Sequence, residues 1–368
     1  MTYLAFRNLF QQKFRLALSI GGVALAMTLI VLLNGFLAGI YVQVTAYLDN
    51  TPADLIVAQD GVTNLLSATS MLPASTEDLA RGVPGVDQLI PIVSQFVIMD
   101  IHDEKVVAYM IGYEPDAGGG PWALTAGRPP VDDDEVVLDW VMAETHGFGL
   151  GDTIEILDED FTVVGLSDGT NSWMNSFFFI EKRAAERLLL APDTTSFLLL
   201  TLEPAADPAA VEARLRRRLR DVEILPASVV KQNDLDLLVQ VFAIPLRMMV
   251  AIAFAVGTAI LGMIIYTATV ERVREYGVLK AVGAKNRHLY WLVTQQGLFT
   301  ALIGAGLGIG LAWLVGQWVM AVSPKFLVII QFDSTLTILL TGLIMGLLAA
   351  LLPARYVGGL DPARVFRK

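Results

Sequence analysis

Three stretches of the chain hold residues whose types and spacing could do chemistry. Gly165, Ser167 and Gly169 have the G-x-S-x-G spacing of a strained turn that presents a serine nucleophile. Such a serine needs a helix after it, then an acid and a histidine later in the chain. The histidines are His102, His146 and His288, and only His288 follows Ser167. Acids gather at Asp132, Asp133, Asp134 and Glu135 and again in the turn 158–160. They follow one another rather than alternate, which is the wrong spacing for a calcium loop. They read as a solvated loop and a hairpin turn, and the histidines are too scattered to hold a metal. No G-x-x-x-x-G-K-[ST] run is present to cradle a nucleotide phosphate. Nothing here calls for a cofactor bound by this chain or for a nucleic acid. The third stretch is 269–290, TVERVREYGVLKAVGAKNRHLY, a charged segment between two long apolar runs.

Those runs decide the class of protein. Hydrophobic residues make up 54% of the 368 and charged residues only 17%, whereas soluble domains average about 45–50% and roughly 25%. The excess is concentrated in four uncharged stretches, 16–48, 248–269, 289–324 and 334–354. A bilayer core needs about 20 apolar residues per helix, so four transmembrane helices are expected.

Charge then orients them. Segments 1–15, 270–288 and 355–368 hold twelve basic residues against three acids, a net of +9; with −11 overall, the rest of the chain carries −20. Basic residues near helix ends mark the cytoplasmic side. Both termini are therefore expected inside and the acidic stretch outside, in a multi-pass membrane protein. His288 then lies across the membrane from Ser167, and the serine reads as a turn after a strand at 161–164.

The expected order is a cytoplasmic amphipathic helix at 1–15, transmembrane helix 1 with its stalk at 16–48 and an extracytoplasmic α+β domain at 49–235. A stalk and transmembrane helix 2 follow at 236–269, the cytoplasmic segment at 270–288, helix 3 at 289–322, helix 4 at 334–354 and a cytoplasmic tail at 355–368. The first apolar run is too long for a signal peptide's core. At 33 residues it would reach about 50 Å, against a hydrocarbon core of ~30 Å, so it should continue as a stalk. Gly21, Gly22, Gly35 and Gly39, and later Gly304, Gly306, Gly308 and Gly310, suit close helix packing. Asn34 reads either as a bridge to another helix or as a tolerated polar residue.

The outer region alternates short β-like runs with helical ones. Strands are expected at 54–58, 96–101, 106–111, 135–138, 153–156, 161–164, 177–180 and 197–202, and helices at 75–81, 141–145, 181–190 and 208–219. We read two lobes, the centre at roughly 92–192 being inserted into an outer α/β lobe. Without cysteine it has no disulfide, yet it is long enough to bury a core. Within it, 171–179 (NSWMNSFFF) packs Trp173, Met174, Phe177, Phe178 and Phe179 into nine residues. Two readings stay open, a core strand with its turn or an exposed patch for a lipid-like cargo or a partner.

The charged segment 271–283 is expected to be helical, without a single apolar stripe. Glu271, Glu275, Val278 and Val282 share one face, and Gly277 with Ala281 make a small-residue face. Like charges at i,i+4 mildly destabilise an isolated helix. A partner supplying positive charge would explain them, and so would an ordinary loop whose basic residues only set topology.

The residues here also carry a resemblance. Glu271-Arg-Val-Arg-Glu-Tyr-Gly-Val-Leu-Lys-Ala-Val-Gly-Ala284 resembles the E-R-x-R-E-[IY]-G-[VI]-[LM]-[KR]-A-[LVI]-G-A segment of FtsX-like permeases, the membrane subunits of MacB-type (type VII) ABC transporters. Leu4-Ala-Phe-Arg-Asn-Leu9 resembles their L-A-x-R-N-L start. Gly127-Arg-Pro, Glu135-Val-Val-Leu and Gly151-Asp-Thr resemble their outer-domain pattern, and Pro353-Ala-Arg355 with Asp361-Pro-Ala363 resembles their ending.

The resemblance implies that 271–284 is a coupling helix seated in a groove of the ATPase. Glu271, Arg274, Glu275, Gly277, Val278, Leu279, Lys280, Ala281, Gly283 and Ala284 are then the coupling residues. ATP and magnesium would sit on a separate ATPase subunit, and this chain would not be an enzyme. A two-fold ATPase offers two seats, so a second copy of the permease is expected. A periplasmic adaptor or lipoprotein, and membrane lipid, complete the expected partners. The implied function is export or extrusion of a lipid, lipoprotein, peptide or other amphiphile. The alternative is a mechanotransducer that activates an extracytoplasmic cell-wall hydrolase.

Overall fold

A computed structural model describes residues 13–66, 68–102, 104–172 and 176–360. The amphipathic segment read over 1–15 lies outside the described residues up to residue 12, as does the tail after residue 360.

The first elements are α1 (Lys13–Asn50), β1 (Leu55–Gln59), β2 (Leu72–Pro73), α2 (Ser75–Arg81), β3 (Val86–Ile101), β4 (Glu104–Tyr113) and β5 (Leu124–Gly127). Then come β6 (Glu135–Asp139), α3 (Trp140–His146), β7 (Thr153–Ile156), β8 (Glu159–Ser167), β9 (Ser176–Glu181), α4 (Lys182–Leu188) and β10 (Thr194–Thr195). The outer region ends with β11 (Phe197–Leu202), α5 (Pro208–Arg218), β12 (Val222–Pro226) and α6 (Ala227–Leu238). A π-helical turn, Val239–Ala243, leads into α7 (Ile244–Glu271), α8 (Val273–Ala281), α9 (Asn286–Val322) and α10 (Phe332–Gly358). Pro245 has no N–H to offer the carbonyl four residues back, which loosens the helix where the π turn sits.

Among the described residues, four helical stretches are long and apolar enough to cross a membrane: Leu16–Asn50, Ala227–Glu271, Asn286–Val322 and Leu336–Gly358. Contacts divide the chain into two compact units. One is Met1–Ala38, Phe242–Ser323 and Val328–Lys368; the other is Gly39–Val241 with Pro324–Leu327.

The membrane unit packs Val23, Met27, Leu261, Ile265, Ala301, Ala305, Met345 and Ala349 at its centre. Small residues bring its helices together, as expected where lipid supplies no hydrophobic drive between them. A Cβ on Gly304 or Gly308 would lie 2.6 Å from Val23 or Met27 of α1. Gly306 and Gly310 face open space, so only alternate glycines of that run serve packing. Thr28 Oγ1 shares its proton between Ala24 O of α1 at 2.8 Å and Gly308 O of α9 at 3.1 Å. Asn34 donates one amide N–H to Ile30 O of its own helix. The fourth span was expected to stop near Pro353, yet α10 runs through it to Gly358. The missing Pro353 N–H frees Ala349 O, and Gly262 of α7 packs against that carbonyl: a Cβ there would lie 3.3 Å away.

The outer unit is built on a ten-stranded sheet in the order β12-β1-β11-β3-β4-β9-β6-β8-β5, with β7 on β8. The long strand β3 is shared by both halves. It pairs with β11 up to Ile92 and with β4 from Ile92 onward. The inserted centre therefore extends the same sheet instead of building a second one. Helix α1 ends in this unit. Tyr47 is buried, stacks on Phe177 at 6.1 Å and donates to Gly119 O at 2.8 Å. Asp49 of α1 pairs with Lys231 of α6.

Candidate functional site

The charged segment folds as a short helix between two sharp turns. Helix α7 stops at Glu271, and Arg272 (φ −99°, ψ 15°) breaks the run before α8 begins at Val273. The far end closes on Gly283, which takes φ +97°. Its N–H donates to Lys280 O at 3.0 Å and Ala284 N–H donates to Leu279 O at 3.0 Å. This is the Schellman pattern, and it needs a left-handed residue where glycine carries no Cβ penalty. Gly283 and Ala284 thus shape the helix end, a role their place in the sequence did not announce.

The two sides of α8 differ. Tyr276 is only 3% exposed, and it packs in the membrane unit's core with Leu279 at its margin. Burial pushes the Tyr276 phenol above its ordinary pKa. Glu271, Arg274, Glu275, Val278, Ala281 and Val282 are exposed, Val282 to 84%. Glu275, Val278 and Val282 therefore form an open face of α8, whereas Glu271, expected on the same face, is the last residue of α7 and is parted from them by the break at Arg272. The small-residue face is not open as a pair, because Gly277 is buried beside Tyr276 and only Ala281 is exposed. The one-residue step from the aromatic carries Gly277 to the inward side. Lys280 also turns inward: its Nζ donates to Gly358 O and Leu360 O, each at 2.7 Å.

The other candidates resolve differently. Phe177, Phe178 and Phe179 are 2%, 0% and 0% exposed, so they form no exposed cargo patch. They belong to β9, whose neighbours are β4 and β6. Phe177 and Phe179 face one core with Trp122 and Tyr47, and Phe178 faces another with Met110 and Leu138. A central strand with parallel pairing is covered on both faces and reads as an unbroken apolar run. Trp173 and Met174 lie outside the described residues.

Ser167 is fully buried at the end of β8. Its one hydroxyl proton is shared between Thr170 Oγ1 at 2.6 Å and Leu138 O at 3.2 Å. Thr170 donates in turn to Asp139 Oδ2 at 2.7 Å. Asp139 caps α3 by accepting from Val141 and Met142 N–H, and burial pushes its carboxyl up to about 6. No histidine takes part, and no substrate could reach the hydroxyl. The motif is a strand end tied to a helix cap.

Residues 127–135 are structural in the same way. Arg128 forks onto Glu135, which also accepts from Val131 N–H at 2.8 Å. These contacts hold the Glu135 carboxyl at about 2. Among the described residues no cluster of histidine and acids could hold a metal.

Comparison with known proteins sets this geometry in a family. A family model described as MacB-like periplasmic core domain matches residues 16–218, and one described as FtsX-like permease C-terminal matches 247–362. An uncharacterised ABC transporter permease of Mycobacterium tuberculosis is 25% identical, over all of this chain and 99% of its own. A putative hemin transport system permease protein of Staphylococcus haemolyticus is 18% identical, over 98% of this chain and 97% of its own. A macrolide export ATP-binding/permease protein, MacB, of Shewanella oneidensis is 22% identical, over 81% of this chain and 49% of its own. Four membrane-crossing helices, an α+β domain after the first and both family matches make one conclusion: the chain belongs to the MacB/FtsX-like family of ABC transporter permeases.

Proposed function

We propose that this permease is worked from the cytoplasm by a separate ATPase subunit that grips α8. In this reading both termini lie inside and the sheet domain outside. Two permeases stand on a two-fold ATPase, each offering one α8. Closure of the ATPase around ATP and magnesium moves the paired α8 helices, and the spans carry that displacement outward as a rigid-body change. The observation that carries the reading is the two-sidedness of α8. One side is fixed in the core by Tyr276, while Glu275, Val278 and Val282 stand exposed on the other. An anchored helix with a bare apolar and acidic face is suited to receive a push.

The cargo we propose is an amphiphile taken from the outer leaflet or the extracytoplasmic space, with an adaptor or lipoprotein completing the path. Two relatives are named for hemin transport and macrolide export, and both names denote amphiphilic small molecules. The test is co-purification in lipid nanodiscs, with ATP hydrolysis and mass spectrometry of bound molecules. Glu275→Lys reverses an exposed charge and should weaken ATPase association by about tenfold or more while leaving the unfolding midpoint unchanged. An ATPase that stays bound and fully stimulated would sink the coupling role.

A further inference from the structure

We infer that Lys280 is a positioning residue: it yokes the coupling helix to the cytoplasmic end of the fourth span, and does not itself contact the ATPase. The inference rests on the proposed docking at α8, and it assigns the path by which a push leaves that helix.

Helix α8 follows α7 in the chain, but the connection is a break. Arg272 leaves helical geometry, and the bonds bridging it are Arg272 N–H to Thr269 O at 3.2 Å and Tyr276 N–H to Arg272 O at 3.1 Å. A joint of this kind lets two helices swing against each other. The link to α10 is of another sort. Lys280 Nζ reaches two carbonyls, Gly358 O and Leu360 O, both at 2.7 Å. Gly359 and Leu360 N–H turn back onto Arg355 O and Val357 O, so α10 ends here. Carbonyls at a helix end have no partner within the helix. Lys280 bonds one of them, Gly358 O, together with Leu360 O two residues on, so its ammonium also meets the negative end of the helix dipole, and hydrogen bonds to a charged donor are about twice as strong as neutral ones.

Packing holds the same corner from the other side. A Cβ on Gly358 would lie 2.2 Å from the Tyr290 hydroxyl of α9, so glycine there lets α10 close onto α9. Val357 is fully buried, and Leu360 lies against the same core as Tyr276 and Leu279. Displacement of α8 therefore reaches α10 through Lys280 and that core, while the covalent joint to α7 can flex. Lys280 is spent on this contact, which takes it out of the set of residues facing the ATPase.

The experiment is hydrogen exchange on the full chain in lipid nanodiscs, alone and with its co-purifying ATPase held by a non-hydrolysable ATP analogue. Lys280→Met should speed exchange across 355–360 in the chain alone by about tenfold or more, the effect of losing one charge-assisted bond. It should leave ATPase association intact and abolish the nucleotide-dependent change at 355–360. Lys280→Arg, which keeps charge and donors, should restore both. Lys280→Leu, which likewise has no donor, gives the same reading should Lys280→Met not fold. Unchanged exchange at 355–360, a nucleotide response that survives without Lys280, or no rescue by arginine would overturn the inference. Loss of ATPase binding in the Lys280 variants would also overturn it, by placing Lys280 in the docking face. Glu275→Lys separates the two levels: an ATPase that remains bound to it refutes the docking, whereas the yoke is judged by exchange in the chain alone.

Discussion

Asp139, Thr170 and Ser167 in the outer domain form a chain of short hydrogen bonds ending on a carboxylate, and all three are shut away from solvent. Glu275, Val278 and Val282 on the charged helix α8, and Glu271 just before it, are all exposed. The region that looks reactive is a frame, and the region that looks plain is the surface available to a partner. Access separates them, not residue type. A buried polar network costs too much to leave half satisfied, so it is completed internally and fixes a shape. An exposed acidic and apolar face costs little in the free chain and becomes useful when something covers it. The comparison predicts that lesions in the outer network act on folding, and lesions on the α8 face act on association.

The largest expected effect is in the outer core. Phe178→Ala empties a fully buried site between β4 and β6, and truncating a buried phenylalanine costs about 3–5 kcal/mol. Denaturation of the full chain should show that loss, while any chain that folds still binds the ATPase. Were the phenylalanines a cargo surface, the midpoint would hardly move and cargo binding would fail instead.

Much of this division was legible before the structure. Residues 208–219 read as a helix from their pattern, and α5 forms there with Asp207 capping its start. The span count followed from uncharged length alone. The first half of β3 was missed because Pro91 breaks the reading of a central strand, although Pro91 sits in register with Leu198. The phenylalanine run stayed ambiguous because a strand covered on both faces has no period to read. The inward side of α8 was invisible for a related reason. It is fixed by one aromatic and one lysine, Tyr276 and Lys280, which make no apolar stripe, and the partners of Lys280 are backbone carbonyls some eighty residues away.

A second way to sharpen the comparison is pH, because the outer unit holds buried carboxyls. Burial raises Asp139 and Asp234 from 3.8 to about 6. Asp234 nonetheless accepts from Leu65 and Leu66 N–H. A carboxyl raised in the fold contributes stability that is fully present below its unfolded pKa and lost as pH rises through its folded one. The outer unit should therefore gain stability on acidification from pH 7 to 5, by about 1.3 kcal/mol per group. Glu135 runs the other way, but its window lies between 4.5 and about 2, below this range. Thermal unfolding at pH 7, 6 and 5 checks the sign, and Asp139→Asn or Asp234→Asn should flatten the slope. A slope that ignores both substitutions would assign the pH response to other groups.

The smallest effect separates frame from site most directly. Ser167→Ala removes one hydroxyl and leaves Thr170 able to donate to Asp139. Leu138 O loses that donor but keeps its place in β6. The cost should be about 1 kcal/mol, the net worth of an ordinary hydrogen bond, and cargo handling and ATP hydrolysis should match the wild type. A serine that attacked a substrate could not be removed so cheaply. If Ser167→Ala folded normally and lost activity, burial in the resting chain would be hiding a site that opens during the cycle. The outer domain would then have to be counted with α8 as a working surface.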